Sequence, residues 1–236
     1  AIREKLKRDQ GIDYAPAQIL ATNGGKQAIG AALAVLLNPG DEVIIPAPYW
    51  TSYPDMVKMF GGKPVIVPTT PESGYLMVAS QLKAAITGKT KVLLLNSPSN
   101  PTGGCYSAGG LTAIAEVLQN EPGAKDVVVI SDEVSEPITF DGFRHTSLAS
   151  VAPALQDRIV IVNAFSKTYS MTGWRVGYAA GPKDILEAMT THQSQFTSNI
   201  CSIAQYAAAA AYGDGGAFPT MMCEAFQTRM NIVCDA

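Results

Sequence analysis

Three short apolar runs in this 236-residue sequence end in groups able to do chemistry. Run 92–95 leads into Asn96-Ser-Pro-Ser-Asn100-Pro-Thr-Gly103, run 127–130 into Ser131-Asp132-Glu133, and run 159–162 into Asn163-Ala-Phe-Ser166-Lys167. Ligands of open α/β sheets gather outside the carboxyl ends of the strands, so an amide, a carboxylate and an amine would face one crevice. A lysine amine is the group that holds an aldehyde as a Schiff base. Upstream, Thr22-Asn-Gly-Gly-Lys-Gln27 opens a long helical pattern. Free N–H groups at Gly24, Gly25 and Lys26, with the helix dipole behind them, favour an anion. Arg175, in Gly173-Trp174-Arg175, could add bidentate charge. This is no Walker loop, because the G-x-x-x-x-G-K spacing is absent.

The elements that must position these groups follow from apolar patterning. Runs 43–45, 65–67, 92–95, 127–130 and 159–162 are short and rich in β-branched residues or leucine. They recur about every 22 to 35 residues, and most gaps hold a helical pattern long enough for a parallel crossover. Ala28, Ile29, Ala32, Leu33 and Leu36 make one helical face; Leu111, Ile114, Ala115 and Leu118 make another. Strands apolar on both faces indicate a mostly parallel sheet sandwiched by helices. The fold class is therefore α/β. After Gly181-Pro182 the pattern is helical over 185–195, 200–212 and 217–233, with a turn at Gly213-Asp214-Gly215-Gly216.

Composition narrows the function classes. Net charge −3 and 47% hydrophobic residues give no basic stripe for nucleic acid, and no apolar run reaches the roughly 18 residues of a membrane span. Charged residues at 16% fall below the usual quarter, which leaves surface for contact with other protein. Cys105, Cys201, Cys223 and Cys234 form no C-x-x-C pair. His145 and His192 lie far apart and read as surface or packing residues, so no metal site is expected. Free thiols are expected, consistent with an intracellular compartment. The chain opens mid-helix at Ala1 and stops without a cap, so we expect a piece of a longer protein. Cytoplasm and plastid both stay open.

Four blocks taken together resemble the class I branch of the fold-type I aminotransferases, which depend on pyridoxal 5′-phosphate (PLP). They are Asn100-Pro101-Thr102-Gly103, Asp132-Glu133, Ser166-Lys167 and Gly173-Trp174-Arg175, in matching order and spacing. Ala47-Pro-Tyr-Trp50-Thr-Ser-Tyr-Pro54 and Asn23-Gly-Gly-Lys-Gln27 look like the bacterial and plastid subgroup that includes aspartate/prephenate aminotransferases. The resemblance implies that 1–212 is the large PLP-binding domain, lacking its N-terminal part. Residues 213–236 would begin an interdomain helix leading to an absent small domain.

The resemblance also assigns roles. Lys167 would bind PLP and, once displaced by an amino acid, move the proton between Cα and C4′. Asp132 would keep the pyridine nitrogen protonated. Asn100 would donate to the ring O3′, Trp50 would stack on the ring, and Tyr49 beside it would only pack. Gly24, Gly25, Lys26, Ser166 and Arg175 would hold the phosphate, with Ala164 where some relatives place a further serine. Lys26, Trp50 and Asn100 would also meet the substrate, Lys26 facing an acidic side chain, since no arginine lies between Arg175 and Arg229. The family shares its active site across a two-fold axis, so a homodimer is implied.

One departure stands out. Relatives read Asp-x-x-Tyr where this chain reads Asp132-Glu-Val-Ser135, and their tyrosine also bonds O3′. Serine is too short for that reach, which leaves the span to a water. The expected activity is transamination between aspartate and 2-oxoglutarate, with prephenate as a further acceptor. The alternatives are a lyase on the same fold, similar to aminocyclopropane-carboxylate synthase, and a non-catalytic protein of that fold.

Overall fold

The computed structural model describes residues 1–213 and 216–235. Seven strands form one sheet: β1 (Ile19–Thr22), β2 (Glu42–Ala47), β3 (Lys63–Pro68), β4 (Thr90–Asn96), β5 (Val128–Asp132), β6 (Ile159–Ala164) and β7 (Gly177–Ala180). Their order is β1-β7-β6-β5-β4-β2-β3, and only β7 runs against the rest. The helices are α1 (Ile2–Gln10), α2 (Gly25–Leu36), α3 (Ser52–Met59), α4 (Ala79–Ala85), α5 (Ala108–Asn120), α6 (Leu148–Val151), α7 (Phe165–Thr168), α8 (Lys183–Phe196), α9 (Ser202–Tyr212) and α10 (Ala217–Cys234). The expected α/β class and mostly parallel sheet are both found.

Alternation along each central strand builds two cores. Ile44, Leu93, Leu95, Val129 and Ile161 face α1, α4, α5, α6 and α9. Val43, Ile45, Leu94, Ile130 and Val162 face α2, α3 and α8. Strands buried on both faces cannot show polar alternation, which is why they read as unbroken apolar runs.

Two strands were not expected from the sequence. Ile19-Leu-Ala-Thr22 is only four residues long, and Gly177-Tyr-Ala-Ala180 is short and made mostly of small residues of low β propensity, so pairing with neighbours defines both. Small residues are required on β7. A Cβ at Gly177 would lie 2.7 Å from the Gly24 carbonyl carbon, 2.8 Å from Gly25 N and 2.9 Å from Asn163 O. The start of α2 thus sits directly on β7, beside the end of β6. The helical expectations 185–195, 200–212 and 217–233 correspond to α8, α9 and α10. The Gly213–Gly216 turn and the proposed boundary after 212 fall beside Asp214 and Gly215, which lie outside the described residues.

Gly177→Ala is expected to cost about 1–3 kcal/mol, because every atom it meets is backbone. Gly109→Ala, exposed near the start of α5 with nothing within 4 Å, is expected to be neutral or to gain a few tenths of a kcal/mol, about what helix propensity allows. Urea unfolding of both variants checks the contrast.

Candidate active site

The site forms where β4, β5 and β6 end and β7 begins, beside the start of α2. Asp132 is the last residue of β5 and is 5% exposed. Its register partners are Asn96 on β4 and Val162 on β6. Lys167 lies on α7, one turn beyond β6, and is exposed, with Ser166 half-buried beside it. Three of the expected groups are therefore neighbours by topology: the Asn96–Asn100 segment, Asp132 and Lys167.

The anion corner is assembled from three segments. Gly24 caps α2 with φ +83°, no side chain caps the helix, and its first turn carries no acid. The first-turn N–H groups thus lack the side-chain acceptor that commonly satisfies them. Arg175 adopts a left-handed conformation (φ 54°) and donates to Asn23 O at 2.8 Å and Thr172 O at 3.0 Å. A Cβ on Gly24 would stand 2.4 Å from Arg175 Nη2, so glycine makes room for the guanidinium. Thr172 also donates to Ser166 O at 3.0 Å, tying the arginine turn to the lysine turn. Lys26 Nζ stands 4.8 Å from the centre of the Trp50 ring, an attractive cation–π contact. Among the described residues neither Arg175 nor Lys26 forms an ion pair. Two uncompensated cations at the positive end of a helix suit a bound anion such as phosphate.

Tyr53, which sequence reasoning left without a role, donates to Asp132 Oδ2 at 2.5 Å, and Val134 N donates to Oδ1 at 3.1 Å. Trp50 meets Tyr53 edge-on, with centroids 5.4 Å apart. The signal was present: Tyr53 follows Trp50 by three residues, the spacing that puts two side chains on one face of a helical turn. Burial pushes Asp132 up to about 6; Tyr53 and Val134 pull the other way, and the nearby Glu133 adds to the rise. Burial, then the Asp132 charge, raise Tyr53 well above its ordinary value, so it stays a donor.

Asn100 is exposed, follows β4, and donates its N–H to Asn96 Oδ1 at 2.8 Å. Asn96 in turn donates to Asp132 O at 3.0 Å, so it anchors the Asn100 loop to β5. Ser135 is half-buried in the turn after Asp132, where its carbonyl accepts the Ile138 N–H at 2.8 Å. Tyr49 packs against the α2 side of the core, as expected. His145, read as surface or packing, is a buried partner of Glu133 at 3.2 Å, while His192 stacks on Phe196. All four cysteines are free.

An acid whose folded pKa lies above its ordinary value of 3.8 holds its proton more tightly in the native state. Stability contributed by Asp132 therefore falls as pH rises from about 4 to about 6. Relative to the parent, ligand-free Asp132→Asn should gain on the order of 2 kcal/mol across that window. Tyr53→Phe should move the window's upper limit above about 6. Urea midpoints measured at pH 4, 5, 6 and 7 check both, and equal pH slopes in parent and Asp132→Asn would refute the assignment.

Comparison with known proteins matches the aminotransferase class I and II family to residues 1–236. The chain is 51% identical over 233 residues to an aspartate/prephenate aminotransferase of Cereibacter sphaeroides, covering 99% of this chain and 58% of that protein. It is 49% identical over 234 residues to an aspartate aminotransferase of Geobacillus stearothermophilus, with the same coverage of 99% and 58%. The aspartate aminotransferase structure from Rhizobium meliloti superimposes with a TM-score of 0.95 at 44% identity, over 98% of this chain and 57% of that one. The Thermus thermophilus enzyme with maleate gives 0.92 at 38% identity, over 99% and 60%. The chain thus spans a little under three fifths of the length of these relatives. It belongs to the class I and II aminotransferases.

Proposed function

We propose that this chain is the large cofactor-binding part of a PLP-dependent aspartate aminotransferase, converting aspartate and 2-oxoglutarate to oxaloacetate and glutamate in two half-reactions. Prephenate is a second acceptor in this reading, in keeping with the relative named for both substrates. The observation that carries the proposal is the pairing of a buried carboxylate, Asp132, with an uncompensated cationic corner at Gly24 and Arg175, and with the Lys167 amine beside them.

The donor set fits PLP. The Arg175 guanidinium seated against Gly24, the uncapped N–H groups at Gly24 and Gly25, and Ser166 suit a phosphate; Asp132 suits a protonated ring nitrogen; Trp50 suits the ring face. When bound, PLP supplies an aldehyde that condenses with amines and a ring that accepts the electron pair of a deprotonated α-carbon. Lys167 Nζ would hold that aldehyde and, freed by the incoming amine, would be the base that moves the proton at the substrate α-carbon. Asp132 ionises once a cation faces it, because an opposite charge offsets the burial that raises its pKa. Tyr53 holds the Asp132 carboxylate in orientation throughout. Asn100 would donate at the ring hydroxyl oxygen, and Ser135 would leave that oxygen one direct donor short of the Asp-x-x-Tyr arrangement. Lys26, at the rim against Trp50, receives the substrate's side-chain carboxylate.

Exposed Phe196, Ile203 and Tyr206 on α8 and α9 support a homodimer, since aromatic and aliphatic surface patches mark contacts between proteins. Four free thiols support an intracellular setting. No helix among the described residues is long and apolar enough to cross a membrane.

The decisive experiment is near-visible absorption of the protein with PLP, before and after L-aspartate. A pH-dependent band that aspartate converts to the pyridoxamine form supports the proposal; no band, with Lys167 unmodified after borohydride, overturns it. Arg175→Ala should weaken PLP binding about 100-fold, the loss of two charge-assisted hydrogen bonds of ~1.5 kcal/mol each; equilibrium dialysis reads it. Ser135→Tyr should shift the pH midpoint of the band and raise the rate without changing PLP content. An identical titration would show that Ser135 does not bear on the ring oxygen.

A further inference from the structure

Glu136 stands four residues after Asp132, and Asn163 four residues before Lys167. Both are buried, and they meet: Asn163 Nδ2 donates to Glu136 Oε2 at 2.7 Å. Asn163 Oδ1 accepts the N–H of Ala164 at 2.7 Å, so this side chain also fixes the last peptide of β6 before the lysine turn. Glu136 is held from its other side by α1. Lys5 Nζ forms an ion pair with Oε2, and Gln10 Nε2 donates to Oε1 at 2.6 Å. The groups facing this pair are Asp9, 3.8 Å from Lys5, and Glu133 with its partner His145.

The ladder shows why this contact matters. The last β5–β6 register pair is Asp132 with Val162, followed by one hydrogen bond from Glu133 N to Val162 O at 2.8 Å. Beyond it, β6 stays paired only with β7, through Asn163–Tyr178 and Ala164–Gly177. On the β5 side, Asn163–Glu136 takes over where the ladder stops.

We propose that Glu136 and Asn163 are positioning residues that set the lysine turn against the end of β5, with Lys5 and Gln10 of α1 holding Glu136 in place. The inference rests on the aminotransferase reading, because the separation it controls is that between the Lys167 amine and the Asp132 carboxylate. A shift of an ångström there misaligns the amine without removing any group that touches the ligand.

The test uses the PLP-loaded protein with Asn163→Ala, Glu136→Gln and the double variant. Each single change should move the pH midpoint of the near-visible band by about half a unit or more. Each should lower kcat about tenfold, with KM within about twofold. The double variant should be no worse than the stronger single one, since both weaken the same Asn163–Glu136 contact: Asn163→Ala removes its donor, Glu136→Gln its charge and the Lys5 ion pair. Glu136→Gln keeps the side chain's size and decides the matter if Asn163→Ala does not fold. Lower urea midpoints with an unchanged band midpoint and unchanged kcat would overturn the proposal, leaving the pair a purely structural one. A parent protein that forms no band with PLP overturns the aminotransferase reading itself, and the positioning role with it. A normal parent band that neither variant moves overturns only the positioning role.

Discussion

Unbalanced charge is the constraint around which this structure is arranged. Helix α2 begins with no side-chain cap and no acid in its first turn, yet Lys26 lies in that turn and Arg175 is folded against Gly24. A helix start normally gathers negative groups, and cations there are unfavourable. The fold nevertheless enforces the arrangement. Arg175 sits in a left-handed backbone conformation, which costs on the order of 1 kcal/mol or more for a residue with a Cβ. Gly24 and Gly177 give up side chains so that the arginine, α2 and β7 can approach. Local rules broken together at one point mark a place shaped by a ligand rather than by folding alone.

The sheet brings the groups of the candidate site together. β7, running against its neighbours, brings Gly177 beneath the anion corner, while parallel β5 and β6 carry Asp132 and the Lys167 turn. A parallel sheet delivers several strand ends to one edge, so residues far apart in sequence become neighbours without any long loop. The α2 start reaches β5 as well, because a Cβ at Gly25 would press on Val134 at 2.9 Å. The anion corner and the Asp132 end of β5 are therefore not independent. A displacement of α2 is felt two residues from Asp132.

Much of this was legible in the sequence, and the exceptions have physical reasons. Four strands, β2, β4, β5 and β6, could be read because burial on both faces makes them continuous apolar runs, and the edge strand β3 because Val65-Ile-Val67 is β-branched throughout. β1 could not, because four residues at a sheet edge make too short a run, and β7 could not, because Gly and Ala carry little strand preference and pairing makes it a strand. Lys167, Asp132 and Arg175 stood out because charged groups after buried strands need a purpose. Tyr53 and Asn96 did not, since their roles depend on hydrogen bonds across 79 and 36 residues of sequence. The Lys5–Glu136–Asn163 cluster was hidden for the same reason: three polar residues on separate elements carry no common spacing.

Asp132 joins the two themes. A carboxylate in a buried position is costly unless paired, and here its partners are a phenol and a peptide N–H, both neutral. Glu133, one residue on, shows the contrast. Burial opposes its charge too, but His145, Ser147 and Ser131 outweigh the penalty and hold it below its usual value. Adjacent carboxyls in one strand end thus face opposite ways in chemistry as well as in space. Glu133 is satisfied by the protein; Asp132 is left wanting a cation. The phenol of Tyr53 can orient Asp132 but cannot neutralise it, so in the proposed reading the compensating charge comes with the ligand. Whatever supplies that cation, and fills the anion corner at the same time, binds the folded chain and not the unfolded one. It therefore adds to stability in proportion to its occupancy. In the proposed reading, recognition of the ligand and completion of the fold are, at this site, coupled.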